Sequence, residues 1–172
     1  MIIYNDPETG ILVEMFPCLQ EINPATDKPF TVQEIANKDV PDGVPYSIVE
    51  DSTIPTDQSF RDAWKGVGIG TTGATITEDI TKAREIHKKN IRNTREPLLS
   101  ALDVDFQRAL ETSADTSTIV AKKQALRDAP AASGISTSTN ITQLKAQWDT
   151  SILGASPYSC LLYTSPSPRD RG

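Results

Sequence analysis

The chain has 172 residues, a formal net charge of −6, 37% hydrophobic and 23% charged residues, which sets a prior of one domain, or one small domain with a helical extension. That hydrophobic share lies below the average of about 45–50% yet above that of chains too polar to collapse, so a soluble, partly folded protein is expected. The longest apolar run falls far short of the roughly 20 residues that cross a bilayer, and no basic-then-apolar leader opens the chain, so neither membrane insertion nor secretion is expected. Two cysteines, Cys18 and Cys160, with a single histidine, His87, exclude an ordinary four-ligand zinc site and a disulfide framework.

Residues 1–70 carry twelve acidic and four basic side chains, a net of −8, whereas 71–159 carry ten and eleven, a net of +1. Two modules of different character follow from this. The first, over 1–64, opens with Met1-Ile2-Ile3-Tyr4-Asn5, the turn signal Asp6-Pro7-Glu8-Thr9-Gly10, and Ile11-Leu12-Val13-Glu14-Met15-Phe16, a β-hairpin pattern. After a Pro-containing loop, Thr31 is an N-cap with Glu34 at the capping-box position and Phe30 against Ile35 as a hydrophobic staple. Asp39-Val40-Pro41-Asp42-Gly43 stops that helix, and Val44 to Val49 reads as a third strand. The order β-β-α-β predicts a small antiparallel α+β unit. Phe60 and Trp64, four apart, fit one face of a helical turn at the edge of the core.

Residues 65–76, with four glycines in eight positions from Gly66 to Gly73, are expected to be a linker or loose strand. The helical module is expected over 77–150. Thr77 is placed to cap it, Glu78 and Asp79 suit the dipole of the first turn, and Ile80, Ala83, His87, Ile91, Thr94, Leu98, Leu102, Phe106 and Ala109 recur at three and four residues. Pro97 predicts a kink or brief break near Arg95-Glu96. A second helix from about Thr116 to Asp128 should fold back as a hairpin. A Ser/Thr/Gly-rich loop, Ala131 to Thr139, then leads to a short helix capped by Asn140 that carries Ile141, Leu144 and Trp148. Residues 151–172 read as a disordered tail. Within it, Cys160 to Asp170 match one reading frame of a transposase-type sequencing adaptor, so 160–172 is set aside from fold reasoning and the residues up to about Ser159 are taken as the gene's own.

Gly68-Ile69-Gly70-Thr71-Thr72-Gly73 satisfies G-x-G-x-x-G by letter, but a dinucleotide site needs a buried strand immediately before it and a helix starting inside it. The polar Arg61 to Lys65 precede it and the helix starts only near Glu78, too late to meet a pyrophosphate. His87 has no cysteine, second histidine or serine motif to work with, so a structural role is expected. Glu50-Asp51 and Asp103/Asp105 sit in polar contexts that suit solvated surface better than acid–base chemistry. Lys82, Arg84, Lys88, Lys89, Arg92 and Arg95 crowd one helix without interleaved aromatics, and the chain is acidic, so a solvated or protein-docking face is preferred to a nucleic-acid site. No acid, base or nucleophile constellation emerges, and no cofactor or metal is expected.

Several stretches, taken in order, carry a family resemblance: Asp39 to Asp57, Phe60-Arg61-Asp62-Ala63-Trp64, Lys82 to His87, Arg95-Glu96-Pro97-Leu98-Leu99-Ser100-Ala101-Leu102-Asp103-Val104-Asp105-Phe106, Lys123-Gln124-Ala125-Leu126-Arg127-Asp128-Ala129-Pro130 and Leu144 to Trp148. This set, over about residues 30–150, resembles small tailed-bacteriophage and prophage proteins of the tail assembly chaperone, or tail-fibre assembly, type. The chain departs from that pattern at Lys122-Lys123, where the family carries an aromatic, and in the glycines after Trp64, where it carries an alternating strand. The resemblance implies a non-enzymatic accessory that binds a phage tail or tail-fibre protein during assembly in the cytoplasm of the infected bacterial host. A minor structural component of the virion is the alternative. Neither nucleic acid nor membrane is an expected partner; a homo-oligomer is compatible. On that reading Leu98, Leu102, Phe106, Leu110 and Leu126 exceed what a small hairpin buries alone and form a partner-binding groove.

Overall fold

A computed structural model describes residues 1–158; the adaptor-like stretch at 160–172 lies outside them. The fold is α+β, and the described residues divide into two compact units, Met1–Ile86 and the residues from His87 onward.

In the first unit, β1 (Ile2–Asn5) and β2 (Leu12–Met15) form the expected hairpin, with Ile2 opposite Met15 and Asn5 opposite Leu12. The Asp6 carboxylate accepts from the Thr9 amide (2.7 Å) and hydroxyl (2.7 Å), which pins the turn. The Pro-containing loop adds a small hairpin, β3 (Ile22–Asn23) with β4 (Lys28–Pro29). The Asn23 side chain organises it, accepting from the Ala25 amide at 2.9 Å. Helix α1 (Val32–Asp39) then starts on the predicted capping box: the Thr31 hydroxyl accepts from the Glu34 amide, and the Glu34 carboxylate accepts from the Thr31 amide at 2.8 Å. Phe30 packs on the cluster containing Ile35, the expected staple. The third strand, β5 (Tyr46–Ile48), pairs antiparallel with β1, giving the order β2-β1-β5.

Of the two forms expected for residues 65–76, linker or strand, the structure has the strand. Trp64–Val67 (β6) and Thr75–Glu78 (β7) form an antiparallel hairpin with Gly66 opposite Ile76. The inward positions of β6 are Trp64 and Gly66, and a Cβ on Gly66 would stand 2.2 Å from Ile69 Cδ1 and 3.0 Å from Leu12 Cδ1. Glycine occupies an inward position because Ile69 folds back over it, and this hides the period-two pattern from a sequence reading. Phe60 and Trp64 are both buried, as expected of core aromatics, although a short 3-10 turn at Arg61–Ala63 replaces a helical face.

The unit thus has three layers. Ile2 and Tyr4 of β1 face α1 together with Met15, Tyr46 and Ile35. On the opposite face, Met1, Ile3 and Leu12 pack with Trp64, Ala74 and Ile76 of the β6–β7 hairpin. Ile2 and Ile3 are adjacent yet both fully buried because the central strand is covered on both sides.

Helix α2 (Ile80–Glu111) crosses the boundary between the units. Its cap is Asp79, whose carboxylate accepts from the Thr81 and Lys82 amides (2.9 and 3.1 Å), because Thr77 and Glu78 are used in β7. Pro97 lies inside it and the helix continues without a break. In the second unit α3 (Ser117–Asp128) folds back on α2: the Arg95 guanidinium donates to the Leu126 and Arg127 carbonyls at the end of α3, and Lys123 pairs with Asp103. Cation and carbonyls meet where the dipole of α3 is negative. The segment expected to be a loop holds α4 (Ser133–Thr137), followed by α5 (Ile141–Lys145), capped by Asn140 as predicted. The start of the expected tail is also ordered into α6 (Thr150–Leu153), where the Asp149 carboxylate accepts from the Ser151 amide at 2.9 Å. Ile91, Leu126, Ile135, Ile141, Leu144, Trp148 and Leu153 are buried apolar residues of this unit.

Candidate functional site

The stripe on α2 loses cover along its length. Ala83, His87 and Ile91 are buried; Leu98, Leu102 and Phe106 are half-buried; Leu110 is 55% exposed. The facing α3 repeats this gradient in reverse, with Leu126 buried, Ile119 half-buried and Val120 48% exposed. These residues leave an apolar seam along a pair of helices, while Val104, 49% exposed, lies across α2 from Leu102 and Phe106.

At the covered end of the seam lies a cleft of about 330 Å3 lined by Leu98, Ala101, Leu102, Ala125, Leu126 and Ile152 together with the polar Lys122 and Ser151. The structure therefore brings Leu98, Leu102 and Leu126 of the predicted groove to one place. Phe106 stands outside that lining, with the Lys123 ammonium 5.1 Å from its ring centre. Leu110 is also outside it, near the end of α2. Ile152 comes from α6, a segment read as tail, so periodicity on α2 gave no signal for it. Val120 lies off the stripe that Ile119 and Leu126 define on α3, which is why spacing left it out of the groove.

His87 is fully buried in a separate cluster. Its Nδ1 lies 2.8 Å from the Tyr158 hydroxyl, its ring stacks on Tyr158 at 5.5 Å, and it meets the Trp148 edge at 6.1 Å. The Asn90 amide donates to the same hydroxyl at 3.3 Å, so the hydroxyl proton is available to a neutral imidazole. Burial pushes the imidazole pKa down from 6.5 to about 4 and raises that of the Tyr158 phenol. Both are neutral near pH 7, which fits the structural role expected of His87.

The glycine motif closes the turn between β6 and β7, with Gly68, Gly70 and Gly73 all at positive φ. The element that follows the motif is β7, and α2 begins only after it, so no helix N-terminus faces the motif's amides. Of the basic strip, Arg95 caps α3, Lys82, Arg84 and Lys88 are half-buried, and Lys89 and Arg92 are exposed. Cys18 is an exposed thiol, and among the described residues no group of three or more His, Cys, Asp or Glu side chains is gathered as metal ligands would be. No described helix is long and apolar enough to cross a membrane. No family model, curated protein or solved structure matches the chain.

Proposed function

We propose that the protein is a phage tail or tail-fibre assembly accessory that acts by reversible binding, without chemistry or cofactor, through the seam of the α2–α3 hairpin. The observation that carries this reading is the apolar seam itself. A two-helix hairpin covers one side of each helix, and here Leu98, Leu102 and Phe106 stay half-buried while Leu110 and Val120 are open. Apolar helical surface of this kind suits an extended or helical segment of a partner that has not yet folded. The resemblance over residues 30–150 supplies the class of partner: a tail or tail-fibre subunit met in the host cytoplasm.

Co-expression of the chain with the tail-fibre gene nearest it on its source genome, followed by affinity capture and sizing, tests the reading. Soluble fibre that depends on this protein and co-purifies with it is the expected result. Leu102→Asp should weaken capture about thirtyfold or more, the effect of losing a central anchor. Lys89→Glu, in the exposed part of the basic strip, should leave it unchanged. Fibre that folds alone and binds nothing refutes the reading, as does capture that survives Leu102→Asp in a protein of unaltered helicity. Recovery of the protein in purified particles at fixed copy number would establish the structural-component alternative instead.

A further inference from the structure

The three-stranded sheet of the first unit ends at β5. Met1 and Val49 exchange both backbone hydrogen bonds, at 3.0 and 2.9 Å. Alternation along an antiparallel ladder then turns the amide and carbonyl of Ser47 toward Ile3, and those of Tyr46 and Ile48 outward. β5 is an edge strand, and no other strand of the described residues lies beyond it. Natural edges are commonly closed by a lysine, a bulge or a covering segment. Here the strand is Tyr-Ser-Ile, Ile48 is 45% exposed, and Glu50 and Asp51 follow it.

A cleft of about 550 Å3 runs along this edge. Gln33 of α1 lines it on one side and the turn Gly70 to Ala74 on the other. The Gly70 amide donates to Ser47 Oγ at 2.8 Å, which holds the turn beside the strand without using the outward backbone groups. The turn approaches closely: a Cβ on Gly70, at φ 85°, would stand 3.2 Å from Pro45 Cβ. The opening therefore has a backbone floor that offers two donors and two acceptors in register, between polar walls.

Charge selects the occupant. Residues 1–70 hold an excess of eight acidic side chains, and of the four bases Lys38 and Arg61 are already paired with Glu21 and Glu14. Glu50 is the charged residue in the lining of the cleft. We infer that the β5 edge binds an extended peptide segment of a partner protein that carries lysine or arginine among β-branched residues, added as a fourth strand beside Tyr46 and Ile48.

The test uses the full chain and a blocked synthetic hexapeptide, Lys-Val-Thr-Val-Lys-Val, followed by amide NMR and hydrogen exchange. The Tyr46 and Ile48 amides should exchange fast in the free protein and become protected on saturation, while Ser47 is protected in both states. Ile48→Pro removes an outward N–H and leaves the pairing to β1 intact, so it should weaken binding about tenfold. Replacing the peptide lysines by glutamates, or N-methylating alternate peptide amides, should weaken it by a similar factor on the unaltered protein. The inference is overturned by absence of any shift up to about 1 mM peptide, by equal binding of the glutamate peptide, or by equal binding of the N-methylated peptide. That last comparison decides the matter even where Ile48→Pro fails to fold.

Discussion

His87 couples the stability of the second unit to pH. Its ring is fully buried between Trp148 and Tyr158, and burial holds its pKa at about 4 against 6.5 for the free side chain. The unfolded chain therefore binds a proton that the folded chain refuses between these values. Stability is then highest above pH 6.5 and falls as the pH drops toward 4, by about 3 kcal/mol in all. Geometry gives the same direction: a neutral imidazole accepts the Tyr158 hydroxyl proton at Nδ1, whereas a protonated one places a second donor against that hydroxyl. The Asp115 and Asp149 carboxylates are held below their ordinary range by hydrogen bonds from Ser117 and Ser151, so their own contribution is lost at lower pH and leaves the histidine window open. His87 is the sole histidine of the chain, so its ring protons give an unambiguous NMR titration. Urea unfolding across pH 4.5 to 7.5 should show the slope, and His87→Phe, which keeps an aromatic in the slot, should flatten it. A histidine titrating near 6.5, or an equal slope in His87→Phe, refutes the reasoning.

Two further predictions concern Pro97 and Gly66. Pro97 sits exposed inside a continuous α2, so Pro97→Ala should restore a backbone bond and raise stability by about 2 kcal/mol, the roughly 3 kcal/mol helix penalty less the gain in unfolded-chain freedom; urea unfolding with no gain would show that the proline bends α2 to fit α3. Gly66→Val places a branched side chain against Ile69 and Leu12 and should lower stability by about 1–3 kcal/mol through overpacking. An unchanged unfolding midpoint would mean that the β6–β7 hairpin is held loosely after all.

Local chemistry made much of the fold legible. The first hairpin, the capping box of α1, the turn at Asp42-Gly43 and the cap at Asn140 are each specified by residues within a few positions of one another, and all four form as read. The α2–α3 hairpin followed from helical spacing, and with it Leu98, Leu102 and Leu126 as neighbours. Phe106 and Leu110 show the boundary of that method, because spacing places a residue on a face and says nothing of how far the covering partner extends.

What the sequence by itself determined is therefore the set of local elements and the apolar faces they present: the β-β-α-β succession of the three-stranded sheet and its helix, a long amphipathic helix, and a second helix returning along it. What only the tertiary structure decided depends on contacts between residues distant in the chain. Gly66 belongs to a strand because Ile69 and Leu12 fill its missing side chain, His87 is neutral because Trp148 and Tyr158 close over it, and Ile152 reaches the cleft from a segment with no periodicity of its own. Short-range signals act through backbone geometry and hydrogen bonds a turn away. Burial and desolvation are set by whichever segment arrives from elsewhere, and no window of sequence contains that information.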